Sequence, residues 1–416
     1  MNLHRTASAL PQVNRFNYRI PVRDWCELAL SASIPFLMIR TALSLLLAAL
    51  TTTAIAGDNY LVYYGCYTNA KSGSKGIYVS RFNSSSGELS DPDLAVATSS
   101  PSFLAIHPSK KYLYAVGEMG TPGQKGGGVS AFTLSLSDGK LSLINQVSSV
   151  GAGPCHVSVD KTSRMAMIAN YGGGSVASYS VLENGGLSDA RSFVQHEGSG
   201  ADPKRQSGPH AHSFNVSPDN RFGFACDLGL DKVFIYRIDP ATGKITAHGH
   251  GSVPPGSGPR HFAFHPSGKY AFVNNEMLMT VTSFAYDAEK GTLTEIETVS
   301  TLPESDRGKK GLSTAETVAH PNGKFVYVSN RTHDTIAVFT CDPATGRLTL
   351  IQNASAEGKI PRNFSLDPTG KWMIVVHQDS NTGALFKVDQ DSGKLTFTGK
   401  KVNVGGSVCV RFLGLD

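Results

Sequence analysis

The sequence contains little charge, no clustered cysteines and no long apolar run, and each shortage excludes a class of protein. Only 17% of the 416 residues are charged whereas 40% are hydrophobic, which excludes an intrinsically disordered chain. No C-x-x-C pair or other metal-like spacing occurs, so neither a disulfide framework nor a structural zinc site is indicated. A G-x-S-x-G motif is also absent, which disfavours a serine hydrolase of the nucleophile-elbow type.

The cysteines are few and scattered. Cys26 lies near the N-terminus, and the other five are far apart, most of them in apolar runs that resemble strands: Cys66, Cys155, Cys226, Cys341 and Cys409. An odd number of distant cysteines in apolar surroundings predicts buried free thiols. Export from the cell would permit a disulfide, which is the alternative.

The net charge of +5 arises mainly in residues 1–56, which hold five Arg against Asp24 and Glu27. The rest of the chain has 33 Lys and Arg against 31 Asp and Glu. This near balance gives no support to nucleic-acid binding.

Residues 1–56 have the parts of a secretory signal. Residues 38–40 form a basic start, residues 42–50 an apolar segment, and residues 54–56 a small-x-small cleavage site. The apolar segment is too short for a typical transmembrane helix. We therefore expect translation to start at Met38, cleavage after Ala56, no stable membrane insertion afterwards, and a periplasmic or secreted protein whose single domain covers residues 57–416. An uncleaved membrane anchor is the alternative.

One hairpin unit recurs along the chain, and its clearest copy is SGPRHFAFHPSGKYAFVNNE, which begins at Ser257. The unit is a strand, a Pro- and Gly-containing turn, and a second strand rich in β-formers, so that position 260 falls opposite about position 275. Two further strand-like runs complete each copy. Six full copies begin at Ser100, Gly153, Gly208, Gly258, Ser313 and Ile360, and their turns are 47 to 58 residues apart.

This period, with four strands per unit, predicts a β-propeller. Residues 60–90 supply part of a seventh unit without its first strand, and residues 408–413 supply that strand. We therefore predict an all-β, seven-bladed propeller of four-stranded antiparallel blades, closed by N- and C-terminal strands in one blade, which removes a free sheet edge. An open solenoid is the alternative.

The repeat also predicts where chemistry would occur. Starts of first strands and ends of second strands share one face, so polar side chains there converge on the mouth of a central channel. That rim collects His156, Tyr171, His210, His212, Asp227, Arg260, His261, Glu276, Glu316, Arg331 and Arg362. Two insertions, residues 197–207 and 302–310, overhang the same rim as a lid, a pocket wall or plain surface loops.

The rim residues suit acid–base chemistry on an anionic small molecule. Glu276 could act as a general base, and His212 and His261 could transfer protons. Three cations could bind a phosphate or carboxylate, or polarise a carbonyl oxygen: Arg260, Arg331 and Arg362. The alternatives are salt bridges and hydrogen bonds between blades.

His210 and His212 are alternate residues of one strand and could chelate zinc, with Asp227 or His261 as a third ligand. Nothing in the spacing requires a metal. We expect neither a metal nor another cofactor.

Several motifs resemble one family: PHAHSFNVSPDNR, GPRHFAFHP, VNNE, FVYVSNR and PRNFSLDPTGK. They are similar to the seven-bladed propeller lactonases of the 6-phosphogluconolactonase and carboxy-muconate lactonising enzyme type, over about residues 58–414. The resemblance implies that the functional groups are His212, Arg260, Glu276 and Arg331. We expect the neighbouring rim residues to contact the substrate, namely His261, Arg362, His210 and His156.

The resemblance implies a metal-independent lactonase that opens a sugar lactone or phosphosugar lactone such as 6-phosphogluconolactone. It does not fix the substrate, because that lactone is made in the cytosol whereas this chain has an export signal. The copy that begins at Ser313 also departs from the pattern, at Thr314 and Glu316, which leaves the pocket shape open. Two alternatives are a lactone-forming cycloisomerase and a propeller that only binds a sugar acid or a protein in the cell envelope.

Overall fold

Short antiparallel strands make up most of the computed structural model, which describes residues 59–118 and 127–415. The predicted leader, its cleavage site and the domain boundary at residue 57 lie outside the described residues. Aromatic and β-branched runs form the strands, and left-handed glycines close many of the turns, for example Gly268 with φ of 70°. Within the described ranges, no helix is long and apolar enough to cross a membrane.

The strands form seven separate sheets, here called blades 1 to 7. Blade 1 contains β1 (Asn59–Cys66), β2 (Gly76–Asn83), β3 (Glu88–Leu89), β4 (Asp93–Ala97) and the last strand, β29 (Ser407–Gly414). Blade 2 contains β5 (Pro101–Ile106), β6 (Tyr112–Gly117), β7 (Gly128–Leu134) and β8 (Leu141–Ser148). Blade 3 contains β9 (Pro154–Val159), β10 (Met165–Asn170), β11 (Ser175–Val181) and β12 (Leu187–Gln195).

The other four blades have the same order. Blade 4 contains β13 (Ala211–Val216), β14 (Phe222–Asp227), β15 (Lys232–Asp239) and β16 (Lys244–Ser252). Blade 5 contains β17 (Pro259–Phe264), β18 (Tyr270–Asn275), β19 (Thr280–Asp287) and β20 (Thr292–Ser300), followed by a 3₁₀ turn, Glu304–Asp306. Blade 6 contains β21 (Ser313–Ala319), β22 (Phe325–Arg331), β23 (Thr335–Cys341) and β24 (Leu348–Ser355). Blade 7 contains β25 (Pro361–Leu366), β26 (Trp372–His377), β27 (Thr382–Val388) and β28 (Leu395–Asn403).

Blade 1 closes the ring. Its innermost strand β29 pairs antiparallel with β1, with Tyr60 opposite Gly414 and Tyr64 opposite Val410. The innermost strands also contact one another in a closed cycle: β5, β9, β13, β17, β21, β25 and β29. The seven-bladed propeller with a shared terminal blade is therefore confirmed, and the open solenoid is wrong.

The blades pack through apolar side chains and enclose a central channel. Buried tyrosines join neighbouring blades, as where Tyr327 donates to the carbonyl of Gly393 at 2.9 Å and Tyr114 to that of Gly185 at 3.0 Å. A cavity of about 350 Å³ in the channel is lined by side chains from all seven blades. The five described cysteines are buried free thiols, as predicted.

Candidate active site

A β-bulge near the start of the innermost strands points side chains into the channel. In blade 5, Pro259 pairs with Asn275 and His261 pairs with Asn274, so Arg260 is an extra residue without a partner. The predicted register, with position 260 opposite about position 275, is confirmed to within one residue, but the bulge itself was not predicted. Blades 4 and 7 have the same register shift, which leaves His212 and Arg362 as the extra residues. Such bulges redirect side chains, often beside active sites. We call this end of the channel, where the inner strands begin, the channel mouth.

Glu276 is the centre of the channel mouth. It directly follows β18, and its amide N–H donates to the carbonyl of Gly258 at 2.7 Å. Three guanidinium groups surround its carboxylate. Oε1 lies 2.8 Å from Nη2 of Arg205, while Oε2 lies 3.1 Å from Nε of Arg260 and 2.8 Å from Nη2 of Arg331.

These contacts determine the charge of the cluster. Burial alone would raise the pKa of Glu276, but Arg331 and Arg260 outweigh burial and lower that pKa from 4.5 to about 2. Burial and the nearby Arg362 and Arg331 lower the pKa of Arg260 to about 10. At neutral pH, Glu276 is therefore ionised and Arg260 is protonated.

The lowered pKa of Glu276 predicts a loss of stability in acid. Because this pKa is lower in the folded chain than in the unfolded chain, the stabilisation is complete above pH 4.5 and disappears as pH falls towards 2. We expect urea unfolding at a series of pH values to show a fall in the free energy of unfolding over that interval. The Glu276→Gln variant should show a smaller fall, and equal slopes for both proteins would contradict this prediction.

A chain of hydrogen bonds supports Arg260 from its other side. Its Nη1 donates to the carbonyl of Ala315 and lies 3.2 Å from Nε2 of His261. Since arginine has only donors, Nε2 of His261 accepts, and Nδ1–H then donates to Oε1 of Glu316 at 2.9 Å. Oε2 of Glu316 accepts from the amide of Asn363. This series of hydrogen bonds therefore fixes the position of Arg260 through residues of blades 6 and 7.

Glu316 is a buried carboxyl that the sequence placed at the rim without a role. Burial raises its pKa to about 7, against the opposing effects of Arg411, Arg260 and the amide N–H of Thr317. Its contact with His261 shows why blade 6 departs from the repeat. Glu316 replaces an aromatic or imidazole side chain and completes the hydrogen bonds of the neighbouring histidine.

His212 lies beside this chain, with its ring centroid 5.4 Å from that of His261 and 5.0 Å from that of Tyr171. Its Nδ1 is 3.6 Å from Sγ of Cys155. Burial, and then the charge of Arg260, lower the pKa of His212 well below 6.5. The imidazole is therefore neutral at neutral pH and can accept a proton.

The structure brings together five of the predicted residues, and the other three flank them. The five are His212, Arg260, His261, Glu276 and Arg331. His210 stacks on Tyr171 with centroids 4.7 Å apart, and its Nδ1 lies 3.0 Å from the carbonyl of Tyr171. His156 packs against Phe103 with ring centroids 4.2 Å apart. Arg362 lies 5.5 Å above the ring of Tyr67, and its charge affects the pKa of Arg260.

The residues considered for zinc are not arranged to bind it. Asp227 is fully buried, and its carboxylate lies 2.6 Å from Nδ1 of His196 and accepts from the amide of His210 at 2.8 Å. In the part of the chain that the structure describes, no group of three or more His, Cys, Asp or Glu could hold a metal ion. Asp227 thus joins blades 3 and 4 rather than completing a metal site.

Sequence reasoning missed Arg205, although it identified the insertion that carries this residue. The neighbouring Gln206 is fully buried, and its side-chain amide donates to the carbonyl of Leu228 and to Asp231. The signal available in the sequence was the basic pair Lys204-Arg205 in an insertion over the rim. Both predicted insertions also lie beside the loop after Glu276, since residues 201–204 and 307–312 each line a cavity with Met277 and Leu278.

The channel mouth of this propeller, with guanidinium groups around a carboxylate and neutral imidazoles beside them, is suited to carbonyl chemistry. Residues 61–412 match the family model "Lactonase, 7-bladed beta-propeller". The chain belongs to this lactonase family, whose members are carboxylic ester hydrolases that open lactones. The suspected resemblance is therefore confirmed, and a propeller that only binds is no longer favoured.

Individual relatives agree with this assignment. The chain is 37% identical over 354 residues to a 6-phosphogluconolactonase of Bacillus subtilis, covering 85% of this chain and 98% of that protein. It is 34% identical to a 6-phosphogluconolactonase of Formosa agariphila, covering 74% of this chain and 86% of that protein. Among solved structures, the periplasmic gluconolactonase PpgL of Pseudomonas aeruginosa is 32% identical, with a TM-score of 0.79 and coverage of 86% and 100%.

Proposed function

We propose that this lactonase opens an anionic sugar lactone, with 6-phosphogluconolactone as the first candidate, and that His212, Arg260, Glu276 and Arg331 are its catalytic residues. The observation that carries the proposal is the cluster of three guanidinium groups around Glu276, with Arg362 close by. Such a cluster attracts a phosphate or carboxylate and stabilises negative charge on a carbonyl oxygen. Two relatives named 6-phosphogluconolactonase support this choice of substrate.

Arg331 offers a donor for the lactone carbonyl. Its Nη2 donates to Thr314 at 3.0 Å and binds Glu276, whereas its Nε is buried with no hydrogen-bond partner among the described residues. An unpaired buried donor is costly, so a substrate oxygen that accepts from Nε removes that cost. Arg331 and Arg260 would together stabilise the oxyanion that forms when water attacks the carbonyl carbon.

The attacking water loses its proton to the Glu276 and His212 pair. Both groups are unprotonated at neutral pH, because the pKa of each is lowered. Collapse of the tetrahedral intermediate breaks the bond between the carbonyl carbon and the ring oxygen, and the ring oxygen takes back the proton that Glu276 and His212 removed from water, becoming a hydroxyl. The product is the open-chain acid, whose new carboxylate remains close to Arg260 and Arg331. His156, His210, His261 and Arg362 would contact the sugar or its anionic group.

Acid release from a panel of lactones tests this proposal. We expect purified protein to open 6-phosphogluconolactone or a related aldonolactone faster than spontaneous hydrolysis, with equal rates in the presence and absence of a chelator. The same panel run from the open acids tests the lactone-forming direction. Spontaneous rates for every sugar lactone would refute the proposed function.

We also propose that the enzyme is exported, on the basis of the signal-like residues 38–56. PpgL, which is similar along 86% of this chain, is named a periplasmic enzyme. Cell fractionation with N-terminal sequencing tests this, and we expect the exported chain to begin at Gly57. A full-length chain confined to the cytosol would contradict it.

A further inference from the structure

Arg205 differs from the other two arginines that bind Glu276. It lies on the insertion between blades 3 and 4, and it reaches over to a carboxylate at the edge of blade 5. Its side chain is 46% exposed, compared with 2% for Arg260 and 13% for Arg331. Of these three guanidinium groups, Arg205 is therefore the one that can exchange its contact with Glu276 for another contact while it stays accessible to water.

The insertion holds the backbone of Arg205 in place independently of its side chain. Gln206 is bonded within blade 4, and its Oε1 accepts from the amide of Asp202 at 2.9 Å. The amide of Arg205 donates to Oδ1 of Asp202 at 3.1 Å. The side chain extends from this anchored turn, and its Nη2 binds Glu276 at 2.8 Å and Tyr171 Oη at 3.3 Å.

The excess of positive charge around Glu276 favours binding of a further anion. Arg205, Arg260 and Arg331 contact Glu276, while Arg362 acts on it without a direct contact and is itself influenced by Glu118. Glu316 acts on Arg260, and the imidazole of His261 is held neutral by burial and by Arg260. Four guanidinium groups therefore lie near three carboxyl groups, Glu276, Glu118 and Glu316. An incoming phosphate or carboxylate would compete with Glu276 for the most accessible cation.

We propose that Arg205 is the specificity residue for anionic lactones: it leaves Glu276 to bind the phosphate or carboxylate of the substrate and thereby frees Oε1 of Glu276 to accept the proton of the attacking water. This inference rests on the proposed function and deepens it. With Arg205 on the substrate, Glu276 keeps two of its three cationic partners, so its pKa rises and it becomes a stronger base. Binding of the anionic group is in this way coupled to activation of the base.

The test compares Arg205→Gln with the matched control Lys204→Gln, which removes the same charge from the next residue. Both variants and the unmodified protein are assayed with 6-phosphogluconolactone and with the uncharged glucono-1,5-lactone. Arg205→Gln should lower kcat/KM for the phosphorylated lactone about tenfold or more, the effect of one charge-assisted hydrogen bond. It should not lower kcat/KM for the uncharged lactone, because losing Arg205 also frees Oε1 of Glu276. Lys204→Gln should leave the ratio of the two values unchanged.

A pH profile separates this role from a structural one. With the uncharged lactone, Arg205→Gln should move the acid limb of kcat/KM to higher pH, because Glu276 has then lost a cationic partner. Arg205→Lys should restore part of the preference for the phosphorylated lactone. An equal loss on both lactones, or an unchanged ratio in Arg205→Gln, would overturn the inference.

Calorimetry with inorganic phosphate keeps the inference testable if no lactone is opened. Phosphate should bind the unmodified protein and Lys204→Gln with equal affinity, and Arg205→Gln about tenfold more weakly. Equal affinity for all three proteins would overturn the role of Arg205. Absence of lactone opening together with weaker phosphate binding by Arg205→Gln would instead refute only the proposed function.

Discussion

Glu276→Gln is expected to lower kcat for lactone opening about 10²–10⁴-fold, the usual contribution of a general base. The amide has nearly the shape of the carboxylate, but it can neither accept the proton of water nor neutralise the three arginines that now bind Glu276. Initial rates with 6-phosphogluconolactone, corrected for spontaneous hydrolysis, measure the effect. The loss should fall mainly on kcat, because the positive cluster that attracts the substrate remains.

Two controls accompany this variant. Glu289→Gln removes a carboxylate from an exposed turn of the same blade and should keep full activity. Glu276→Asp keeps the charge with a shorter side chain and should recover part of the rate. If Glu276→Gln is folded and retains more than about a tenth of the original kcat, Glu276 is not the base.

Arg331→Ala is expected to lower kcat about 10²–10³-fold, which is typical for loss of one oxyanion donor. The variant removes the unpaired Nε and one of the two cations on Oε2 of Glu276. Steady-state kinetics on the uncharged glucono-1,5-lactone isolate this effect from binding of an anionic group. Loss of the cation should also raise the pKa of Glu276, so the acid limb of the pH profile should move to higher pH.

The control for Arg331→Ala is Arg347→Ala, in the same blade. Arg347 is 62% exposed and pairs with Glu297 on the outside of the propeller. The Arg347→Ala variant should retain full activity, because an exposed ion pair contributes little to stability. A raised KM with unchanged kcat in Arg331→Ala would place this arginine in substrate binding and contradict its role at the oxyanion.

The fold was predictable because each blade repeats its own local pattern. The tight turn after each first strand, which carries Pro in five of the six copies, gives those copies directly, and the lone strand at residues 408–413 reveals the closing blade. The convergence of Arg260, Glu276 and Arg331 follows from the same repeat, since the first two lie at the channel end of blade 5 and Arg331 at that of blade 6. The repeat therefore predicted both the architecture and the location of the site.

The bulges and the insertion contacts were not predictable from that pattern. In a regular strand, neighbouring side chains point to opposite faces, so the sequence predicts no contact between Arg260 and His261. The bulge at Arg260 allows these two side chains to contact each other at 3.2 Å. The sequence placed Glu316 at the rim as a departure from the repeat but gave it no role, because its partners His261 and Asn363 belong to other blades. Arg205 lies in a non-repeating segment whose path depends on the buried side chain of Gln206.

A crystal structure of the protein with 6-phosphogluconate, the product of the proposed reaction, tests the central claim most directly. We predict that its carboxylate lies within hydrogen-bond distance of Nε of Arg331, and that its phosphate contacts Arg205 at the channel mouth. Binding of the product elsewhere, for example in the cavity beside Arg81 and Leu89 of blade 1, would contradict the account.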